Sequence, residues 1–200
     1  GCGKSTLGRT ILQLYHQTYG RTMYYGMSLD DLAPRYVLET IRNLPKLREK
    51  LRELEKKRDA LEAQYAALSE EAKHTELDTA RKLAEDALLD ITKIVGGFLV
   101  AKDLKPVMEV YERAYQQSKQ LSDLETRREG AAVDVDDLEF AARKKPQKAD
   151  SGKLAAAREK LQKIDAEIAD RRSALSKVHA EIDEMRKPYA QDAEFQKYEA

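Results

Sequence analysis

Residues 154–189 read LAAAREKLQKIDAEIADRRSALSKVHAEIDEMRKPY, and their spacing decides the fold. Leu154, Ala157, Leu161, Ile164, Ile168, Arg171, Leu175, Val178, Ile182, Met185 and Tyr189 follow one another at intervals of three and four. An α-helix with one buried stripe produces that period, and charged residues fill the positions between. Sustained over the whole stretch, it is the pattern of a coiled coil. At about 1.5 Å per residue such a helix extends roughly 50 Å.

A second stretch, residues 44–73, repeats the pattern with Leu44, Leu47, Leu51, Leu54, Arg58, Leu61, Tyr65, Leu68 and Ala72. Pro45 suits a first helical turn, and Pro188 marks the end of the other stretch. The two stretches are expected to pair antiparallel as an arm. The favoured register sets Leu51 against Met185, Leu61 against Leu175 and Leu68 against Ile168. It also places Arg171 beside Tyr65 and Arg58 beside Val178. A slip of one heptad would oppose Arg58 and Arg171, so the two arginines disfavour it.

Between these stretches the texture changes. Residues 78–95 are amphipathic, with Leu83, Ala84, Ala87, Leu88, Ile91, Ile94 and Val95 on a broad stripe, and Gly96-Gly97 interrupts them. Residues 104–128 form a further helix carrying Val107, Met108, Tyr111, Ala114, Tyr115, Leu121 and Leu124. These segments predict a small helical head, residues 78–130, at the far end of the arm. Residues 130–152 read as a loop. Its acidic run at 134–137 lacks the D-x-D-x-D-G order of a calcium loop. Its basic run at 143–148 has no interleaved aromatics, so a solvated loop is expected and no nucleic acid.

Composition agrees with a helical arm. Charged residues make up 36% of the 200, above the roughly 25% of an average chain. The 36 Lys and Arg balance 36 Asp and Glu, which removes any general attraction to nucleic acid or membrane. A single cysteine excludes an internal disulfide and a multi-thiol metal site, and suits a reducing compartment. The longest apolar run, 94–101, is far short of the roughly 20 residues of a membrane helix.

The first residues carry the chemistry. Gly1-Cys2-Gly3-Lys4-Ser5-Thr6 matches the second half of a Walker A loop, G-x-x-x-x-G-K-[ST]. Backbone N–H groups that curl around a phosphate need residues without a Cβ clash, which explains Gly1 and Gly3. Lys4 reaches the β- and γ-phosphates of ATP, and the Ser5 hydroxyl ligates Mg²⁺. Cys2 contributes backbone alone. A helix must follow to complete the anion site, and Leu7, Ile11, Leu14 and Tyr15 fall on one helical face. Residues 19–26 then read as a short strand closed by Gly26. His16, His74 and His179 stand in polar helical contexts with no partner motif.

The wording of residues 1–14, GCGKSTLGRTILQL, followed by a TxGxxxYxG-like stretch at 18–26, resembles the ATP-binding subunits of bacterial oligopeptide and dipeptide ABC importers. The resemblance covers about residues 1–30. It implies ATP and Mg²⁺ as ligands of Gly1, Cys2, Gly3, Lys4, Ser5 and Thr6, with Ser5 on the metal. It also implies a second ATP-binding subunit, permease subunits as partners, and a cytoplasmic place on the inner face of the cell membrane. The helical insertion is left to dock a partner the sequence does not specify. A Q-loop, a Leu-Ser-Gly-Gly-Gln signature, a Walker B strand and a switch histidine do not follow, so no catalytic residue is assigned. The chain therefore reads as a piece of a longer ATPase.

The expected fold is mainly α, with a truncated α/β P-loop start and an antiparallel coiled-coil hairpin bearing a small helical head. Residues 1–36 belong to the nucleotide-binding segment, 37–190 to the helical insertion, and 191–200 to the return toward the ATPase. Two other readings compete. One is a chromosome-maintenance or DNA-repair ATPase of the SMC class, whose head also emits a coiled coil. The other is a coiled-coil interaction module without enzyme activity.

Overall fold

A computed structural model of the chain describes residues 23–24, 27–28, 34–66, 75–148 and 150–199. Met23–Tyr24 (β1) pairs antiparallel with Met27–Ser28 (β2), Met23 opposite Ser28 and Tyr24 opposite Met27. The other described elements are helical: α1 (Arg35–Arg42), α2 (Leu44–Tyr65), α3 (Thr75–Val95), α4 (Lys105–Lys144), α5 (Ser151–Arg186) and α6 (Ala193–Glu199). Tight 3₁₀ turns occupy Gly96–Val100, Pro146–Lys148 and Lys187–Tyr189. The fold is mainly α, as expected. The helix after the P-loop lies outside the described residues.

The chain divides into two compact units, one built from Arg35–Gln117 with Ala169–Ala200, the other containing Ser118–Ile168. In the first, Arg35 and Glu39 pair one turn apart on α1, and Ile41 of the same helix is buried. Asn43 breaks the helix and returns its side-chain amide to the Glu39 carbonyl at 2.8 Å. Pro45 then opens α2, where its missing N–H costs nothing. Along α2 the anticipated stripe is inward: Leu44, Leu51 and Leu61 are buried, and Leu47, Leu54, Arg58 and Tyr65 half-buried.

The partners of that stripe differ from the expected arm. Leu61 is buried with Leu77 and Ala80 of α3, and Tyr65 packs on them, in place of a seam with Leu175. Arg81 of α3 reaches Glu62 of α2 at 2.9 Å. Nearer the start of α2, Leu44 and Leu51 share a core with Ile91, Val95, Phe98, Val107, Val110, Ile182 and Phe195. Leu47, Met185 and Tyr189 pack against the same core. Leu68 lies outside the described residues.

That core takes in residues of the predicted head and residues outside it. Ile91 and Val95 share it with Val107 and Val110, and also with Leu44 and Phe195. Each such side chain contributes roughly 1.5–3 kcal/mol when fully buried. The exposed ion pairs contribute about 0–1 kcal/mol each. The apolar core therefore holds the unit together. The expected neighbours of the arginines change with it. Arg58 binds the Asp59 carboxylate at 2.7 Å, and Arg171 donates to Gln117 at 3.4 Å.

The Ser118–Ile168 unit overturns the expected loop at 130–152. Helix α4 continues through Gly130 to Lys144, and Asp150 then starts α5 by accepting the Lys153 N–H at 3.0 Å. Leu121, Leu124, Ala131, Val135, Leu138 and Ala142 keep intervals of three, four and seven, so the buried stripe survives the glycine. Leu124 and Ala131 are buried against Ile164 and Ile168. Arg128 pairs with Asp165, Asp134 with Lys160 and Glu139 with Arg158. Partner numbers fall as those of α4 rise, so the two segments run antiparallel.

Candidate functional site

The predicted phosphate- and magnesium-binding residues Gly1, Cys2, Gly3, Lys4, Ser5 and Thr6 lie outside the described residues, as do His16 and His74. His179 is exposed on α5. Among the described residues no group of three or more His, Cys, Asp and Glu could hold a metal ion. No helix among them is long and apolar enough to cross a membrane. The most concentrated polar geometry is instead a clasp in the Arg35–Gln117/Ala169–Ala200 unit, where α6 closes on the turn after α3.

The clasp begins with Gly96, which ends α3 at φ +54°, a left-handed conformation that glycine adopts without a Cβ penalty. The turn frees the Gly97 N–H, and the Glu199 carboxylate accepts it at 2.8 Å through Oε2. Oε1 of the same carboxylate stands 2.5 Å from the buried Nε of Arg186, an ion-pair contact without hydrogen-bond alignment. Arg186 Nη1 donates to Asp183 at 2.8 Å. Helix α6 is placed by its own cap, since Asp192 Oδ1 accepts the N–H groups of Glu194 and Phe195 at 3.0 Å each.

Apolar packing completes it. Phe195 is 0% exposed. Its ring meets Phe98 edge-on at 5.1 Å and stacks on Tyr189 at 4.7 Å. Phe98 also meets the Tyr111 ring edge-on at 6.0 Å, and the Arg186 guanidinium lies 5.9 Å from the Phe98 centroid. Edge-on aromatic pairs add about 0.5–1.5 kcal/mol beyond burial.

Burial pushes the Tyr111 phenol up to about 12, against the opposing pull of Arg186, so it is a neutral phenol at ordinary pH. Burial alone would lower the Arg186 guanidinium, but the Glu199 and Asp183 carboxylates, and Tyr111 once it ionises in alkali, outweigh it and raise it. Arg48 supports the turn from α2, donating to the carbonyl of Ala101 at 2.7 Å. Burial lowers its guanidinium, and the like charge of Arg52 adds to that. No group here combines a nucleophile with a base. The clasp fastens the chain's late residues to the end of α3.

Sequence reasoning found Gly96-Gly97 only as a helix break and missed Phe195, Glu199 and Arg186. The available signal was Asp192, a cap residue, followed by Phe195 and Glu199 one turn apart on a single short helical face. A separate groove of about 420 Å³ lies between α2 and α3, lined by Leu54, Lys57, Thr75, Glu76, Thr79, Ala80 and Leu83. Leu83, expected on the buried stripe, is 50% exposed there. No protein-family model, curated protein or solved structure matches the chain.

Proposed function

We propose that the chain belongs to an ATP-binding subunit of a bacterial oligopeptide or dipeptide ABC importer, with residues 37–190 as a helical insertion. The observation that carries this is the wording of residues 1–14, in which Gly3-Lys4-Ser5-Thr6 stands directly before Leu7-Gly8-Arg9-Thr10-Ile11-Leu12. Lys4 holds the γ-phosphate of ATP by charge, backbone N–H groups of Gly1 to Thr6 cradle the phosphates, and the Ser5 hydroxyl ligates Mg²⁺. ATP bound at two such loops closes a pair of subunits. Hydrolysis, completed by motifs elsewhere in the parent protein, reopens them and drives peptide import through the permease subunits. The protein then works at the cytoplasmic face of the membrane.

Two features of the helical part support an insertion. It buries a core from Leu44 to Ile182, as a segment grafted into another domain must, and Phe195 of the return segment joins that core. The segments that flank it both pack at the end of α3: Tyr36 of α1 carries the Lys93 ammonium 5.4 Å from its ring, and Glu199 of α6 binds Gly97. A chain that departs from a host and returns to it needs that convergence.

The test is ATP turnover and nucleotide binding by the parent protein with Lys4→Ala. Turnover should be lost, and Ser5→Ala should weaken the magnesium dependence more than nucleotide affinity. Unchanged turnover with Lys4→Ala would remove the phosphate-binding reading.

A further inference from the structure

The turn that joins α4 to α5 in the Ser118–Ile168 unit gathers positive charge and one bare aromatic ring. Arg143, Lys144 and Lys145 are exposed at the end of α4, and Lys153 is exposed in the first turn of α5. Asp150 is the only acidic residue of 143–153 and pairs with Lys153 at 3.6 Å, while Glu139 pairs with Arg143 at 3.5 Å, so the surplus positive charge rests on Lys144 and Lys145. One turn before Lys144, Phe140 is 56% exposed, with the Lys144 ammonium 4.7 Å from its ring centroid.

The helix dipole explains cations at the end of α4. It does not explain a phenylalanine left in water, whereas Lys153, at the positive end of α5, is paired with Asp150. A cluster of four or more basic residues with an exposed aromatic ring suits the boundary of an anionic bilayer, where lipid phosphates meet the cations and the ring enters the headgroup layer.

We propose that this turn docks on an anionic phospholipid surface through Phe140, Arg143, Lys144, Lys145 and Lys153. Nucleic acid fits the same charge less well. Asp134, Asp136 and Asp137 precede the basic residues on α4, with Asp137 roughly 10 Å behind Lys144. That is close to the Debye length of about 8 Å at physiological salt. A strand laid along the helix would cross these carboxylates, whereas a lipid surface met at the turn does not reach them. The proposal goes beyond the importer reading and stands without it.

The experiment is co-sedimentation of the full chain with vesicles of phosphatidylcholine, alone or mixed with phosphatidylglycerol. The chain should sediment with the mixed vesicles and not the neutral ones, and salt should release it. Each lysine lost should weaken binding roughly fivefold, so K144E with K145E should weaken it by more than roughly twentyfold. F140S should weaken it severalfold, while K56E with K57E, on α2, should leave it unchanged. All five sites are exposed, and circular dichroism confirms that the variants keep their helices. The proposal fails if the mixed vesicles do not bind, or if K56E with K57E costs as much as K144E with K145E. It also fails if short single-stranded RNA is bound in preference to the vesicles.

Discussion

The Glu199 carboxylate accepts the backbone N–H of Gly97 at 2.8 Å, across 102 residues of chain. A Cβ at Gly97 would stand 2.5 Å from the Phe195 carbonyl oxygen and 2.6 Å from its ring. Neither group is the free end of a flexible side chain, so α6 must move. Gly97→Ala should destabilise the chain by about 1–3 kcal/mol, the usual cost of overpacking. Urea denaturation measures it, and an unchanged midpoint would mean that α6 does not close on this turn.

Tyr111 gives the clasp an alkaline limit. Its phenol titrates near an ordinary 10 in the unfolded chain and at about 12 in the folded one. A raised value means that folding favours the protonated form. The contribution is therefore complete below pH 10 and is lost as pH rises from 10 to 12. Two units correspond to about 2–3 kcal/mol. Tyr111→Phe should flatten the fall in stability over that window, followed by thermal melts at stepped pH. An unchanged slope would place the phenol in water.

Gly130 lies within α4, and a Cβ there would meet nothing within 4 Å. Gly130→Ala should stabilise the chain by about 0.5–1 kcal/mol, because glycine loses more backbone freedom in a helix. A loss of stability would show that the chain needs a break at this position.

Ile164 is buried against Leu124 and Ala131. Ile164→Ala should cost about 2–4 kcal/mol through lost burial and the cavity left behind. Amide exchange should rise over 118–144 as well as on α5. Protection of 118–144 left intact would separate the two helices.

Helical identity was legible in the sequence because an amphipathic stripe is a local property. The positions expected to face inward on α2 do so, and along α5 the forecast stripe is buried or half-buried at every position but Arg171. The stripe through Ala131, Val135, Leu138 and Ala142 was legible too, and giving Gly130 more weight than that repeat produced the false loop. The candidate nucleotide site, Gly1 to Thr6, rests on motif and spacing alone, whereas no spacing rule announces Arg186 and Glu199 meeting Gly97.

The sequence by itself determined that the long segments 44–65, 78–95, 105–128 and 154–186 are helices, which face of each is apolar, and which short run has the composition of a phosphate loop. Only the tertiary structure decided the partners. Leu, Ile and Val stripes are chemically interchangeable, so periodicity cannot say whether Leu61 meets Leu175 or Leu77, or whether Ile168 meets Leu68 or Leu124. Helices joined by short connections meet first, because closing a short loop costs less entropy than closing a long one. Thus α2 took α3 beside Leu61, and the end of α4 took the start of α5 beside Ile164. The longest-range closure needed shape as well as hydrophobicity: a left-handed Gly96, no Cβ at Gly97, and a carboxylate at 199 to fill the space they leave.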